Sequence, residues 1–168
     1  INYFLNVSCS KLPETSKQHC EGLLSLKECE NAIKTLKCNR SPGNDGLTIE
    51  FYRKFWDILG EKMVACFNYS HVHGEMSASQ KQAIITFIEK NGKDRLFLKN
   101  WRPISLLNVD YKIATKSVSL RLKSVLPEII NIDQSGYIEG RQIFHSIRVI
   151  QDIMEITSKQ HKGGMMLM

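Results

Sequence analysis

No apolar run in this sequence approaches the roughly 18 residues that a membrane-spanning helix needs, so no helical span is expected. No Cys-x-x-Cys pair occurs among Cys9, Cys20, Cys29, Cys38 and Cys66, and the count is odd. A disulfide frame and a zinc ribbon are both disfavoured, and reduced intracellular thiols are expected. No signal peptide or other targeting segment is visible, and the first residue is Ile rather than Met, which reads as a processed or cut start. Gly-x-Ser-x-Gly is missing, as is the Gly-x-x-x-x-Gly-Lys of a phosphate loop. His71 and His73 lie near Cys66, but the spacing matches no zinc pattern, and residues i and i+2 of a helix do not face one another. Asp45, Asp110 and Asp133 are scattered and suit turns or caps. From these residues no catalytic set and no metal site is expected.

What the chain has is positive charge, unevenly placed. Its 168 residues carry a net charge of +6. Residues 1–60 hold eight Lys and Arg against seven Asp and Glu, whereas residues 61–168 hold fifteen against ten. A polyanion site therefore belongs to the second part. The charge is densest in Ile84–Leu107. There an apolar β-type run, Ile84 to Ile88, leads into a loop with Gly92 and then a second extended run from Trp101 to Leu107. Five bases and two acids lie between Glu89 and Arg102. The composition fits a hairpin that grips phosphate, and equally a hairpin with a solvated charged tip.

Along the chain, residues 1–24 read as an irregular lead-in. Ser25-Leu26-Lys27-Glu28 is a capping box, with Leu24 and Cys29 as its apolar staple, and opens a helix over about 26–38. Pro42-Gly43 suits a type II turn and Asp45-Gly46 a second tight turn. A helix restarts with Thr48 as N-cap, is interrupted at Gly60, and resumes to about 73. After the hairpin, Asp110 caps a helix over about 111–126 that ends at Pro127. On it Lys112, Lys116 and Lys123 fall within roughly 40° of one another, as a cationic stripe or a plain solvated face. Residues 131–142 read as a loop. An amphipathic helix over about 143–161 aligns Ile143, Ile147, Ile150 and Met154. Gly163-Gly164 ends it, and Met165 to Met168 look like the start of a buried strand.

Three of these stretches resemble motifs of one family. Ser41-Pro42-Gly43-Asn44-Asp45-Gly46 followed by Glu50-Phe51-Tyr52 resembles the SPGxDG…EFY motif of non-LTR (LINE-type) retrotransposon reverse transcriptases. Lys90-Asn91-Gly92-Lys93-Asp94, then Asn100-Trp101-Arg102-Pro103-Ile104-Ser105-Leu106-Leu107-Asn108, resembles their PKxGKD…NWRPISLLN motif. Asp133-Gln134-Ser135-Gly136-Tyr137-Ile138 with Gly140-Arg141-Gln142-Ile143 resembles DQxGFxxGRxI. The matches run in family order over most of the chain.

The resemblance implies an α+β fold, the fingers and start of the palm of a right-hand polymerase, mostly helical with a short antiparallel finger hairpin. Residues 25–80 would be a helical N-terminal extension and residues 81–168 the fingers region running into the first palm strand. Lys90 and Arg102 match the finger residues expected to contact the incoming nucleotide's triphosphate. Lys93, Arg95, Lys99, Lys112, Lys116, Lys123 and Arg141 are weaker candidates for the template or primer backbone. Trp101 suits the core more than base stacking. The family copies RNA into DNA with two divalent metals, so Mg2+, an RNA template, a DNA primer and deoxynucleoside triphosphates are implied for the complete enzyme, in a nuclear or cytoplasmic ribonucleoprotein. The family's catalytic aspartates are not in this chain, so none of its residues is assigned a catalytic role and it is expected to be inactive alone. The competing expectations are a non-catalytic nucleic-acid-binding module and an inert remnant. Two positions depart from the family: Glu89 stands where Pro is usual, and His145-Ser146 replaces Asp-Asn.

Overall fold

The computed structural model describes residues 11–160, in which five helices and one two-stranded ribbon follow in the order α1 (Glu14–Cys20), α2 (Leu26–Thr35), α3 (Ile49–His73), β1 (Ala83–Glu89), β2 (Trp101–Leu107), α4 (Val109–Ile129) and α5 (Ile143–Lys159). The fold is mixed α+β. It divides into two compact units, one spanning His19–Arg121 and the other joining the segments on either side of it. The apolar run at Met165 to Met168 lies outside the described residues.

The His19–Arg121 unit is built around α2 and α3. Ser25 caps α2 as a complete capping box: its hydroxyl accepts from the Glu28 amide, and the Glu28 carboxylate accepts from the Ser25 amide. Cys29 and Ile33 of α2 bury against Ile49, Tyr52, Trp56 and Phe67 of α3 and Val109 and Ile113 of α4. Leu24 packs on the same cluster as Cys29, as the staple requires. Burial pushes the Cys29 thiol upward and so keeps it protonated.

Several local expectations change. The lead-in is not wholly irregular, because residues 14–20 form α1. Gly60 does not interrupt α3. A Cβ there would lie 2.9 Å from Leu26 Cδ1 and 3.0 Å from the Trp56 ring, so the glycine lets α2 and α3 approach. The one non-helical residue inside α3 is Phe55, at φ −110° and ψ 15°. Thr48 occupies the N-cap position without making a side-chain cap bond. Asp110 lies in the first turn of α4 rather than before it, and α4 carries Pro127 inside its last turn instead of ending there.

The other unit is tied by polar bonds. Ser16 of α1 donates to both carboxylate oxygens of Glu128, at 2.8 and 3.0 Å. Residues 131–142 form the expected loop, and Ile138 within it is buried. The apolar stripe of α5 stands open among the described residues: Ile143, Ile147, Ile150 and Met154 are 41–64% exposed.

Candidate nucleotide and nucleic-acid interface

The hairpin pairs antiparallel with Glu89 opposite Trp101, Ile88 opposite Arg102 and Phe87 opposite Pro103. Lys90 extends the ladder by one rung, its amide donating to the Asn100 carbonyl at 2.8 Å. Side chains alternate along a strand, and directly opposed residues share a face. Lys90 therefore falls on the Arg102 face as its diagonal neighbour, and Glu89 falls with Trp101 on the other. Both strands are largely exposed, with Thr86, Trp101, Leu106 and Leu107 half-buried.

The loop joining the strands is closed by its own bonds. The Lys93 amide donates to the Lys90 carbonyl around a turn that Gly92 completes at φ +71°. Asp94 Oδ1 accepts from the Leu96 amide at 2.9 Å, and Asn100 Nδ2 donates to the Asp94 carbonyl at 2.7 Å. Trp101, half-buried, donates its indole N–H to the Arg95 carbonyl at 2.9 Å. It serves the loop rather than a large core.

The candidate cations stand in different situations. Lys90 is half-buried, and its ammonium donates to the Lys99 carbonyl at 2.7 Å, which leaves two further protons to offer. Arg102 is exposed, with no carboxylate or carbonyl partner among the described residues, and Lys93 is likewise exposed. Lys99 lies over the Phe97 ring at 5.4 Å. Arg95 is paired with Glu89 through two bonds, one of them Nη2 to Oε1 at 2.8 Å, and that carboxylate holds its guanidinium more firmly charged. Glu89 thus bonds Arg95, on the face opposite Lys90.

The remaining candidates separate from the hairpin group. Lys112 and Lys116 are half-buried on α4. Lys123 belongs to the other unit and pairs with Glu139 at 2.7 Å. The Arg141 guanidinium is occupied by backbone: it donates to the carbonyls of Pro127, Ile130, Asn131 and Gln134, closing the 131–142 loop onto the end of α4. Such a guanidinium organises the chain.

The base of the hairpin sits in a socket made by the 43–46 turn. That turn is centred on Asn44 and Asp45, with the Gly46 amide donating to the Gly43 carbonyl and Gly46 at φ +71°. It is not a type II turn on Pro42-Gly43. Gly43 is required for contact instead, since a Cβ there would lie 1.9 Å from Asn108 Oδ1 and 2.5 Å from the Asn108 amide nitrogen. Asn108, 1% exposed, donates to the Ser79 carbonyl at 3.0 Å and accepts from the Asp45 amide at 3.5 Å. The Asn44 amide also donates to the Gln82 side chain. Residues just before β1 and just after β2 are thereby fixed to one turn.

Two arginines that spacing did not single out hold the frame beneath. Arg53 donates to the carbonyls of Ile33, Lys34 and Leu36, supplying the end of α2 with the partners its last turn lacks. Arg121, 9% exposed, grips the Glu28 carboxylate through two nitrogens, one at 2.9 Å, and donates to the carbonyls of Glu21, Gly22 and Leu23. A polar residue inside an apolar helical pattern was the available signal for each.

Residues 88–167 match the family model described as reverse transcriptase (RNA-dependent DNA polymerase). The chain is 42% identical over 146 residues to the 149 kDa protein of transposon TX1 of Xenopus laevis, covering 87% of this chain and 11% of that protein. It is 25% identical over 162 residues to the 115 kDa protein of the type-1 retrotransposable element R1DM of Drosophila melanogaster, covering 96% of this chain and 16% of that protein. The chain carries part of a non-LTR retrotransposon reverse transcriptase domain. It spans only a small part, 11% and 16%, of the curated relatives it matches. Reverse transcriptases generally depend on divalent metal. Among the described residues no three His, Cys, Asp or Glu side chains converge to hold such an ion. No described helix is long and apolar enough to cross a membrane.

Proposed function

We propose that residues 83–107 are the phosphate-gripping finger of this reverse transcriptase domain, with Lys90 and Arg102 receiving the triphosphate of an incoming deoxynucleotide. An RNA template and a DNA primer would track Lys93 and Lys99, and without a nucleotide the phosphates of a single strand would also occupy the Lys90–Arg102 face, where a triphosphate competes with them. The observation that carries the reading is charge segregation across the ribbon. Lys90 and Arg102 share a face, while the two nearby carboxylates are engaged elsewhere, Glu89 of β1 by Arg95 and Asp94 of the loop by the Leu96 amide. The Arg102 guanidinium would fork onto two phosphate oxygens, and Lys90, tethered by the Lys99 carbonyl, would add a point charge beside it. Fixed cations in this position offset charge that develops on a leaving pyrophosphate.

The test is equilibrium binding of fluorescein-labelled oligo(U) to the 168-residue chain over a salt series, with unlabelled deoxynucleoside triphosphate as competitor. Binding is expected at low salt, with competition by the triphosphate. Lys90→Ala and Arg102→Ala should each weaken it and make the log–log salt slope shallower by about 0.7. No binding at low salt, or unchanged binding by the double variant, refutes the assignment.

A further inference from the structure

We infer that Glu89 makes the hairpin one-sided: it captures Arg95 on the Trp101 face and withholds that cation from phosphate. This deepens the reading above and rests on it. Glu89 and Trp101 oppose each other in the ladder, so the Glu89 side chain stands on the face away from Lys90 and Arg102. Arg95 reaches that same face from the loop. Its guanidinium closes on both Glu89 oxygens, and its carbonyl accepts the Trp101 indole proton. Backbone and side chain of Arg95 are therefore both held there.

The pair is well exposed, with 72% of the Arg95 and 43% of the Glu89 side chain open to solvent. An exposed pair of this kind contributes little to stability. Its effect is on which cations face outward. With Glu89 present, one face shows Lys90 and Arg102 and the other a neutral pair beside an aromatic ring. Without the carboxylate, Arg95 is a loose cation at the neck of the loop, and the hairpin attracts polyanion from both sides. Glu89 is thus a specificity-determining residue that trades general affinity for a single phosphate-binding face.

The experiment is a double-mutant cycle of Glu89→Gln and Arg95→Ala, read by oligo(U) binding between about 50 and 200 mM salt. Arg95→Ala alone should leave binding within about twofold of the parent chain, since Arg95 is already occupied. Glu89→Gln should tighten binding and steepen the salt slope by about 0.7, so that its advantage shrinks about 2.5-fold across that salt range. In the Arg95→Ala background the same change should lose this added slope. Glu89→Ala repeats the arm without an amide that can still accept from Arg95. An equal gain in both backgrounds means that Glu89 acts only as a repelling charge and overturns the inference. So does a large loss from Arg95→Ala alone, which would show Arg95 on phosphate already. If Lys90→Ala and Arg102→Ala weaken binding while the cycle is additive, the finger reading stands and only the role of Glu89 falls. If neither the parent nor Glu89→Gln binds, both fall.

Discussion

Replacing Glu28 with Gln is expected to destabilise the His19–Arg121 unit through one ion pair and to flatten its response to acid. The Arg121 guanidinium holds the Glu28 carboxyl well below its ordinary value of 4.5, down to about 2, with the Ser25 hydroxyl and amide assisting against the cost of burial. A shift of that size corresponds to about 3 kcal/mol at 1.36 kcal/mol for each unit. Close to a third of the Glu28 side chain faces solvent. Screening there reduces the expected contribution to about 1–2 kcal/mol. The sign follows from linkage. A depressed carboxyl stabilises the fold fully above its unfolded value of 4.5, and the stabilisation is lost as pH falls toward 2. Roughly two-fifths of it should remain at pH 3. Gln retains much of the capping box, so the variant isolates the ion pair. Urea unfolding followed by far-ultraviolet circular dichroism at neutral pH, and again near pH 3, gives the comparison. The difference between parent and variant should be about 1–2 kcal/mol at neutral pH and should shrink by more than half near pH 3. A difference under about 0.5 kcal/mol at neutral pH, or one independent of pH, would refute the argument.

Gly43→Ala should destabilise by about 2–3 kcal/mol, because the new Cβ meets Asn108 backbone atoms at 2.5 and 2.8 Å and backbone cannot swing aside. An unchanged thermal midpoint would contradict the socket. Arg53→Ala leaves the last carbonyls of α2 without their donor and is expected to cost about 1–2 kcal/mol in urea unfolding, with oligo(U) affinity unaffected once the chain is folded. A fall in affinity without a fall in stability would place Arg53 at the interface instead.

What was legible in the sequence was local chemistry. The Ser25–Glu28 box works within one turn of helix, and the spacing of Cys29 and Ile33 marks one buried side, so α2 could be read directly. The hairpin was legible because two β-type runs flank a loop containing Gly92. Two of the misreadings turn on distant partners. Gly60 and Gly43 looked like breakers, yet each is small so that another segment can approach, Leu26 and Trp56 in one case and Asn108 in the other. The seven-residue α1 has no periodicity to betray it, and its Ser16 finds Glu128 across 112 positions. Arg141 carries the same charge as Arg102, and spacing cannot separate a guanidinium closed on carbonyls from an exposed one.

That separation sharpens the functional argument. Arg53, Arg121 and Arg141 each close on backbone carbonyls, and Arg95 closes on a carboxylate. Each therefore has its charge and donors answered within the fold. Arg102 projects from a strand whose register is fixed by the socket at Asn108, and it meets no such partner among the described residues. A cation without an internal partner can meet an anion without first breaking an internal pair. The two classes of arginine should consequently respond in opposite ways. Arg121→Ala should lower stability while leaving the salt slope of oligo(U) binding in the folded chain unchanged. Arg102→Ala should leave the unfolding midpoint within about 0.5 kcal/mol of the parent and make the slope shallower by about 0.7. Equal losses of stability from both would mean that Arg102 is another strut of the fold rather than the hand that meets phosphate.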